Sequence, residues 1–122
     1  MVLIIEDDIK LARLLQEALS QYDLKSQVVS RLSDASFKLR NQEFTFVLMD
    51  LNLEKGSKSE SILVGVRNSI NHLNYSTPVI VISGEFDESR VQELKGMIQG
   101  FLVKPFTVDK LFEKLQSLKL IP

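Results

Sequence analysis

Phe46-Val47-Leu48-Met49-Asp50 sets a carboxylate at the end of an unbroken apolar run. A run this short, with no helical spacing, reads as a buried strand. Hydrocarbon surroundings disfavour a charged carboxylate unless something nearby compensates. Three more apolar runs end in polar residues. Val2-Leu3-Ile4-Ile5 leads into Glu6-Asp7-Asp8, Val79-Ile80-Val81-Ile82 into Ser83, and Phe101-Leu102-Val103 into Lys104-Pro105. Four strands with polar ends point to one site.

Between the strands the apolar spacing is helical. Leu11, Leu15, Ala18 and Tyr22, with Ala12 and Leu19 beside them, mark one face of a helix over Ile9–Tyr22. Gln27–Val29 predicts a short strand, and Ser33 or Asp34 is the expected N-cap of a helix reaching about Gln42. Ile62, Leu63, Val66, Ile70 and Leu73 mark a third helix. Val91, Leu94 and Ile98 mark a short fourth, from about Asp87 to Met97. Val108, Leu111, Phe112, Leu115 and Leu118 form the face of a last helix behind Thr107 as N-cap. Val2–Ile5, Phe46–Met49 and Val79–Ile82 are apolar without alternation, the pattern of a parallel sheet covered on both faces. Five strand–helix repeats predict a doubly wound α/β domain.

Composition narrows the function. The chain has 122 residues, enough for one domain with a sizeable core. Its formal net charge of −1 argues against a nucleic-acid-binding body, which would carry a basic excess or stripe. With no cysteine, disulfides, thiolate catalysis and cysteine-based metal sites are excluded. The first apolar run stops at three acids, unlike a signal peptide, and no apolar stretch approaches membrane-spanning length. A cytoplasmic location is the default expectation. Only Leu120-Ile121-Pro122 come after the last helix pattern, so one domain over residues 1–122 is expected.

In open α/β sheets the functional crevice lies at the carboxyl ends of the strands, near the point where strand order reverses. Glu6, Asp7, Asp50, Ser83 and Lys104 all fall at such ends. Polar loops explain any one of them and explain the set poorly. Two carboxylates ~4 Å apart repel by about 4 kcal/mol at an effective dielectric of about 20. Lys104 offsets one charge, and a hard divalent cation would neutralise the rest, with Mg²⁺ or Mn²⁺ favoured by oxygen-only ligands. A carboxylate can act as nucleophile toward a phosphoryl group, and phosphoryl transfer is mostly positioning and charge stabilisation. No G-x-x-x-x-G-K-[ST] and no G-x-G-x-x-G after a strand supplies a nucleotide pocket. The phosphoryl group must then arrive on another protein or a small donor.

The order and spacing of Glu6-Asp7, the lone Asp50, Ser83-Gly84 and Phe101-Leu102-Val103-Lys104-Pro105-Phe106 resemble the receiver domains of two-component response regulators over essentially the whole chain. The resemblance implies a five-stranded parallel sheet in the order 2-1-3-4-5 with helices on both faces. It implies Asp50 as phosphoacceptor and Mg²⁺ held by Asp7 and Asp50, by the Asn52 backbone carbonyl and, through water, by Glu6. Ser83 would contact the phosphoryl group and Lys104 would pair with it. Lys104-Pro105 is expected to be cis, and Phe101 matches the switch aromatic, against its plainer reading as a core phenylalanine. Asn52 and Glu85 hold the two positions that tune phosphoryl lifetime in this family, and their polarity implies fast self-dephosphorylation. Asp8 is better read as a helix cap than as a ligand.

The implied partners are a histidine kinase or histidine phosphotransfer protein and a downstream protein or output domain, with no direct nucleic-acid or membrane binding. The implied protein is not an enzyme acting on other substrates. Two departures stand out. Glu54 replaces the family's frequent proline, and the stretch to Ser61 implies a longer loop. Met97-Ile98-Gln99-Gly100 replaces the usual small-residue stretch before the fifth strand. His72 and the lysines 110, 114 and 119 read as surface residues. A pseudo-receiver that signals without phosphate is the runner-up, disfavoured by Asp50, Asp7 and Lys104. A phosphatase with an aspartyl nucleophile needs a second aspartate where Asn52 stands.

Overall fold

The computed structural model describes residues 1–53, 59–85 and 88–122. Strands and helices alternate: β1 (Val2–Ile5), α1 (Ile9–Ser20), β2 (Ser26–Val29), α2 (Leu32–Asn41), β3 (Val47–Asp50), α3 (Glu60–Arg67), β4 (Val79–Ser83), α4 (Glu88–Leu94), β5 (Gly100–Val103) and α5 (Val108–Ser117). All strand pairings are parallel, in the order β2-β1-β3-β4-β5. Most of the expected Glu54–Ser61 loop, and Asp87, lie outside the described residues; Glu60 and Ser61 belong to α3.

Each strand residue faces opposite its neighbour, so the continuous apolar runs feed two cores. Leu3, Ile5, Val47, Met49, Val79 and Val81 pack with Ala35, Leu39, Leu63, Val66 and Leu94 from α2, α3 and α4. Val2, Ile4, Leu48, Ile80, Ile82 and Leu102 pack with Leu15, Ala18 and Leu19 of α1 and Leu111 and Leu115 of α5. Tyr22 meets Phe112 edge-on, with ring centroids 4.9 Å apart, and ties the end of α1 to α5. A Cβ on Gly100 would lie 3.2 Å from side-chain carbons of Leu118 and Lys114, so glycine lets α5 lie close against β5.

The predicted caps divide. Asp8 accepts from the Lys10 and Leu11 amides at 3.0 and 3.2 Å, and Thr107 accepts from the Lys110 amide at 3.2 Å. On α2, by contrast, Arg31 is the N-cap and makes no side-chain cap bond, while Ser33 and Asp34 lie inside the first turn. Leu32 packs on the first core, which extends the helix two residues earlier than the cap pattern predicts.

Two helices end earlier than their apolar spacing predicts. α3 stops at Arg67, leaving Ile70 78% and Leu73 50% exposed in the turns beyond it. Polar anchoring outweighs the spacing there. The Arg67 guanidinium donates to the carbonyls of Asn74, Tyr75, Thr77 and Met97 and to Gln99 Oε1. Asn74, fully buried, bonds the carbonyls of Leu39 and Gln42, the Phe44 amide and the Thr77 hydroxyl. α4 stops at Leu94 because Gly96 adopts φ +91 and turns the chain out of the helix. His72 is half-buried in the turns after α3, its Nδ1 accepting from the Asn74 amide.

Among the described residues no helix is long and apolar enough to cross a membrane.

Candidate functional site

Parallel register brings the polar strand ends to one edge. Ile5 pairs with Met49, Asp50 with Ile82, and Ser83 with Val103, so Glu6, Asp50, Ser83 and Lys104 line up across β1, β3, β4 and β5. Asp7 comes after Glu6 on the loop above β1. Carboxylate oxygens from Glu6, Asp7 and Asp50 all lie within 4.8 Å of one another. Glu6 and Asp50 are buried and Asp7 is exposed.

Backbone donors fix two of these carboxylates. The Asp7 amide donates to Glu6 Oε2 at 3.0 Å, and the Asn52 amide donates to Asp50 Oδ1 at 2.9 Å. Lys104 Nζ bridges the remaining oxygens, 2.8 Å from Glu6 Oε1 and 3.3 Å from Asp50 Oδ2. Its own backbone amide donates to the Ser83 carbonyl at 2.7 Å, which fixes β5 against β4 where the side chain departs. Ser83 is buried, and its Oγ accepts from the Glu85 amide at 3.3 Å. The Lys104-Pro105 peptide is cis, as expected.

The charges perturb one another. Burial pushes the Glu6 carboxyl up to about 7 from an ordinary 4.5; the neighbouring Asp50 carboxylate adds to the rise and Lys104 opposes it. Burial alone would lower the Lys104 ammonium, but its hydrogen bond and charge attraction to Glu6, joined by those of Asp50, outweigh burial and raise it.

The chain without divalent cation should therefore be sensitive to pH. An acid whose folded value is raised contributes stability that is full below its unfolded value and is lost as pH rises through the folded one. Glu6 should withdraw on the order of 1–3 kcal/mol between pH 4.5 and about 7. Urea unfolding at pH 5 and pH 8 measures it. Glu6→Gln should flatten the slope; an unchanged slope in that variant would assign the effect elsewhere.

Of the other predicted residues, Asn52 lies two positions beyond Asp50 with its side chain exposed, and Glu85 is exposed beyond Ser83. Phe101 is half-buried opposite Val81, packs against the first core and also lines an open pocket of about 610 Å³ between β5 and α5. Gln99, one of the departures from the family pattern, is structural: its Oε1 accepts from the Val79 amide at 2.7 Å and from Arg67. Ser59, within the expected loop, is fully buried and donates to the Leu51 carbonyl at 3.0 Å.

Sequence reasoning does not find Arg90. From α4 it pairs with Glu60 at the start of α3 and reaches Asn52 Oδ1 and the Leu51 carbonyl, both at 3.4 Å. No local motif marks it, because its partners are 30 to 39 residues away in sequence.

A doubly wound sheet in this order, with three acids, a serine and a lysine converging at the strand ends, defines a receiver-type domain. A model of the response regulator receiver domain matches residues 2–116, and the chain belongs to that family. It is 27% identical over 117 residues to the swarming motility regulation protein RssB of Serratia marcescens, covering 95% of this chain and 51% of RssB. It is 29% identical over 121 residues to the transcriptional regulatory protein KdpE of Staphylococcus aureus, covering 98% of this chain and 50% of KdpE. The chain thus spans about half the length of these relatives. Among solved structures, the chemotaxis response regulator CheY4 of Vibrio cholerae aligns with TM-score 0.83 at 23% identity, over 96% of both chains. The receiver domain of a sensor histidine kinase from Pseudomonas aeruginosa, solved with magnesium in its active-site cleft, aligns with TM-score 0.78 at 21% identity, over 95% of this chain and 93% of that one.

Proposed function

We propose that residues 1–122 act as one phosphoacceptor domain, taking a phosphoryl group onto Asp50 from the phosphohistidine of a histidine kinase or phosphotransfer protein. A carboxylate oxygen of Asp50 attacks phosphorus, the phosphorus–nitrogen bond breaks, and the imidazole keeps that electron pair. Lys104 Nζ, already 3.3 Å from Asp50, pairs with the incoming phosphoryl oxygens, and the Ser83 hydroxyl donates to another. The convergence of Glu6, Asp7 and Asp50 within 4.8 Å is the observation that carries this reading.

The donor set fits Mg²⁺ or Mn²⁺, since it is all hard oxygen in a chain without cysteine. Asp7, Asp50 and the Asn52 carbonyl would hold the ion, with Glu6 acting through water. When bound, it supplies charge neutralisation for the phosphoryl oxygens.

The added charge of nearly −2 biases a two-state equilibrium. Ser83 shifts toward the phosphoryl group, Phe101 turns inward, and the face formed by α4, β5 and α5 passes the change to a downstream protein or an output domain. Asn52 and Glu85 flank the acyl phosphate and orient water against it, so the phosphorylated state is short-lived. The domain works in the cytoplasm, itself contacts neither nucleic acid nor membrane, and catalyses only its own phosphorylation and dephosphorylation.

Incubation with a small acyl phosphate and Mg²⁺, with the product read by intact mass, tests this. A phosphoryl-sized gain is expected, lost when the cation is chelated. No gain and no Mg²⁺ binding would leave a receiver fold that signals without phosphate.

A further inference from the structure

We infer that Arg90 is a positioning residue that competes with the hydrolytic water for the Asn52 carboxamide oxygen and so lengthens the life of the phosphorylated state. This rests on the proposed role of Asn52 in dephosphorylation and names what regulates it.

Arginine carries donors only, so a carboxamide facing it must turn its oxygen toward it. Arg90 Nη1 donates to Asn52 Oδ1 at 3.4 Å, and Nη2 donates to the Leu51 carbonyl at the same distance. These two contacts hold the chain just beyond Asp50. Nε donates to Glu60 Oε1 at 2.6 Å, and Nη2 pairs with the same carboxylate, so the guanidinium is anchored on α3 while it reaches Asn52. The arginine is about one-third exposed and its Glu60 partner one-quarter, so the anchor is shielded in part from water. Three elements thus meet at the residue two places after the proposed phosphoacceptor.

The chemistry gives the direction. In hydrolysis a water oxygen bonds to phosphorus, the bond from phosphorus to the Asp50 oxygen breaks, and the Asp50 carboxylate keeps that electron pair. Both water protons leave with the phosphate as dihydrogen phosphate. A side chain that orients this water must accept one of its hydrogens, so that an oxygen lone pair points at phosphorus. Oδ1 keeps a second lone pair, but a donor on the first fixes where the carboxamide points and makes it a weaker acceptor, so Arg90 and the water compete for it. Removing Arg90 leaves Oδ1 to the water alone.

The test uses the 122-residue chain, loaded with a small acyl phosphate and Mg²⁺, with loss of the phosphoryl group tracked by intact mass after the donor is removed. Arg90→Gln and Arg90→Ala should each decay ~2- to 10-fold faster, the range set by one lost hydrogen bond. The pair of variants separates the guanidinium from any hydrogen bond a glutamine would make. In an Asn52→Ala background the same changes should have no effect, which a merely structural role of Arg90 would not produce. Unchanged or slower decay in both Arg90 variants overturns the inference, and so does equal acceleration with and without Asn52. If Asn52→Ala alone leaves decay unaltered, the proposed role of Asn52 fails and this inference with it. If Asn52→Ala slows decay while the Arg90 variants match the parent, only the role given to Arg90 fails.

Discussion

Asp50→Asn is expected to take up no phosphoryl group under conditions that load the parent chain, while keeping its fold. The carboxamide is nearly isosteric but lacks the oxyanion that attacks phosphorus. Its environment tolerates the change. The carboxamide oxygen can still accept from the Asn52 amide, as Asp50 Oδ1 does at 2.9 Å, and Lys104 keeps its 2.8 Å partner Glu6. The substitution also removes one member of a carboxylate cluster whose mutual repulsion helps raise Glu6. Stability should therefore hold or rise, and Glu6 should fall back toward its ordinary value. Intact mass and thermal unfolding on the same sample separate the two effects. A phosphoryl-sized gain that survives in the folded variant would move the acceptor to another residue.

The largest loss of stability should come from Asn74→Ala, at the opposite end of the sheet from the site. Asn74 is 1% exposed. Its amide donates to the Leu39 and Gln42 carbonyls at 2.7 and 2.8 Å, capping the end of α2, and its oxygen accepts from the Phe44 amide at 2.9 Å and the Thr77 hydroxyl at 2.8 Å. Truncation leaves buried backbone groups without partners, at about 1–3 kcal/mol each, so a total of ~3–5 kcal/mol is expected after partial relaxation. For a domain of this size that corresponds to a fall in melting temperature of about 10–20 °C. Asn74→Asp keeps the acceptor while replacing the donor with a buried charge, and should be no more stable than the alanine variant. Urea unfolding gives both values. A loss under ~1 kcal/mol in Asn74→Ala would mean that water replaces the side chain at little cost.

The strands are legible because burial on both faces leaves unbroken apolar runs, as in Val2–Ile5 and Val79–Ile82. Helix α1 and helix α5 are legible because a capping oxygen and a regular apolar face coincide at Asp8 and Thr107. Legibility ends where distant polar groups decide the backbone. Ile70 and Leu73 continue the spacing of α3, yet Arg67 and Asn74 bond to carbonyls whose positions depend on other strands and loops. Arg90 and Ser59 escape notice for the same reason. Each looks like an ordinary polar residue until its remote partners, Asn52 with Glu60 and Leu51, stand beside it.

Local sequence was enough to specify the alternation of strands and helices, the double-sided burial of the sheet and the polar residues that end its strands. These depend on local periodicity and on which polar residues end each apolar run. Glu6, Asp7, Asp50, Ser83 and Lys104 could be assigned to one crevice in this way, but the distances between them could not be read. It took the folded chain to bring Lys104 across 98 residues to Glu6 at 2.8 Å, to raise Glu6 to about 7, and to lay Arg90 against Asn52. Charge interactions and hydrogen bonds depend on distances of a few ångströms and on loss of water, and both are set when parallel strands lock in register and the helices close over them.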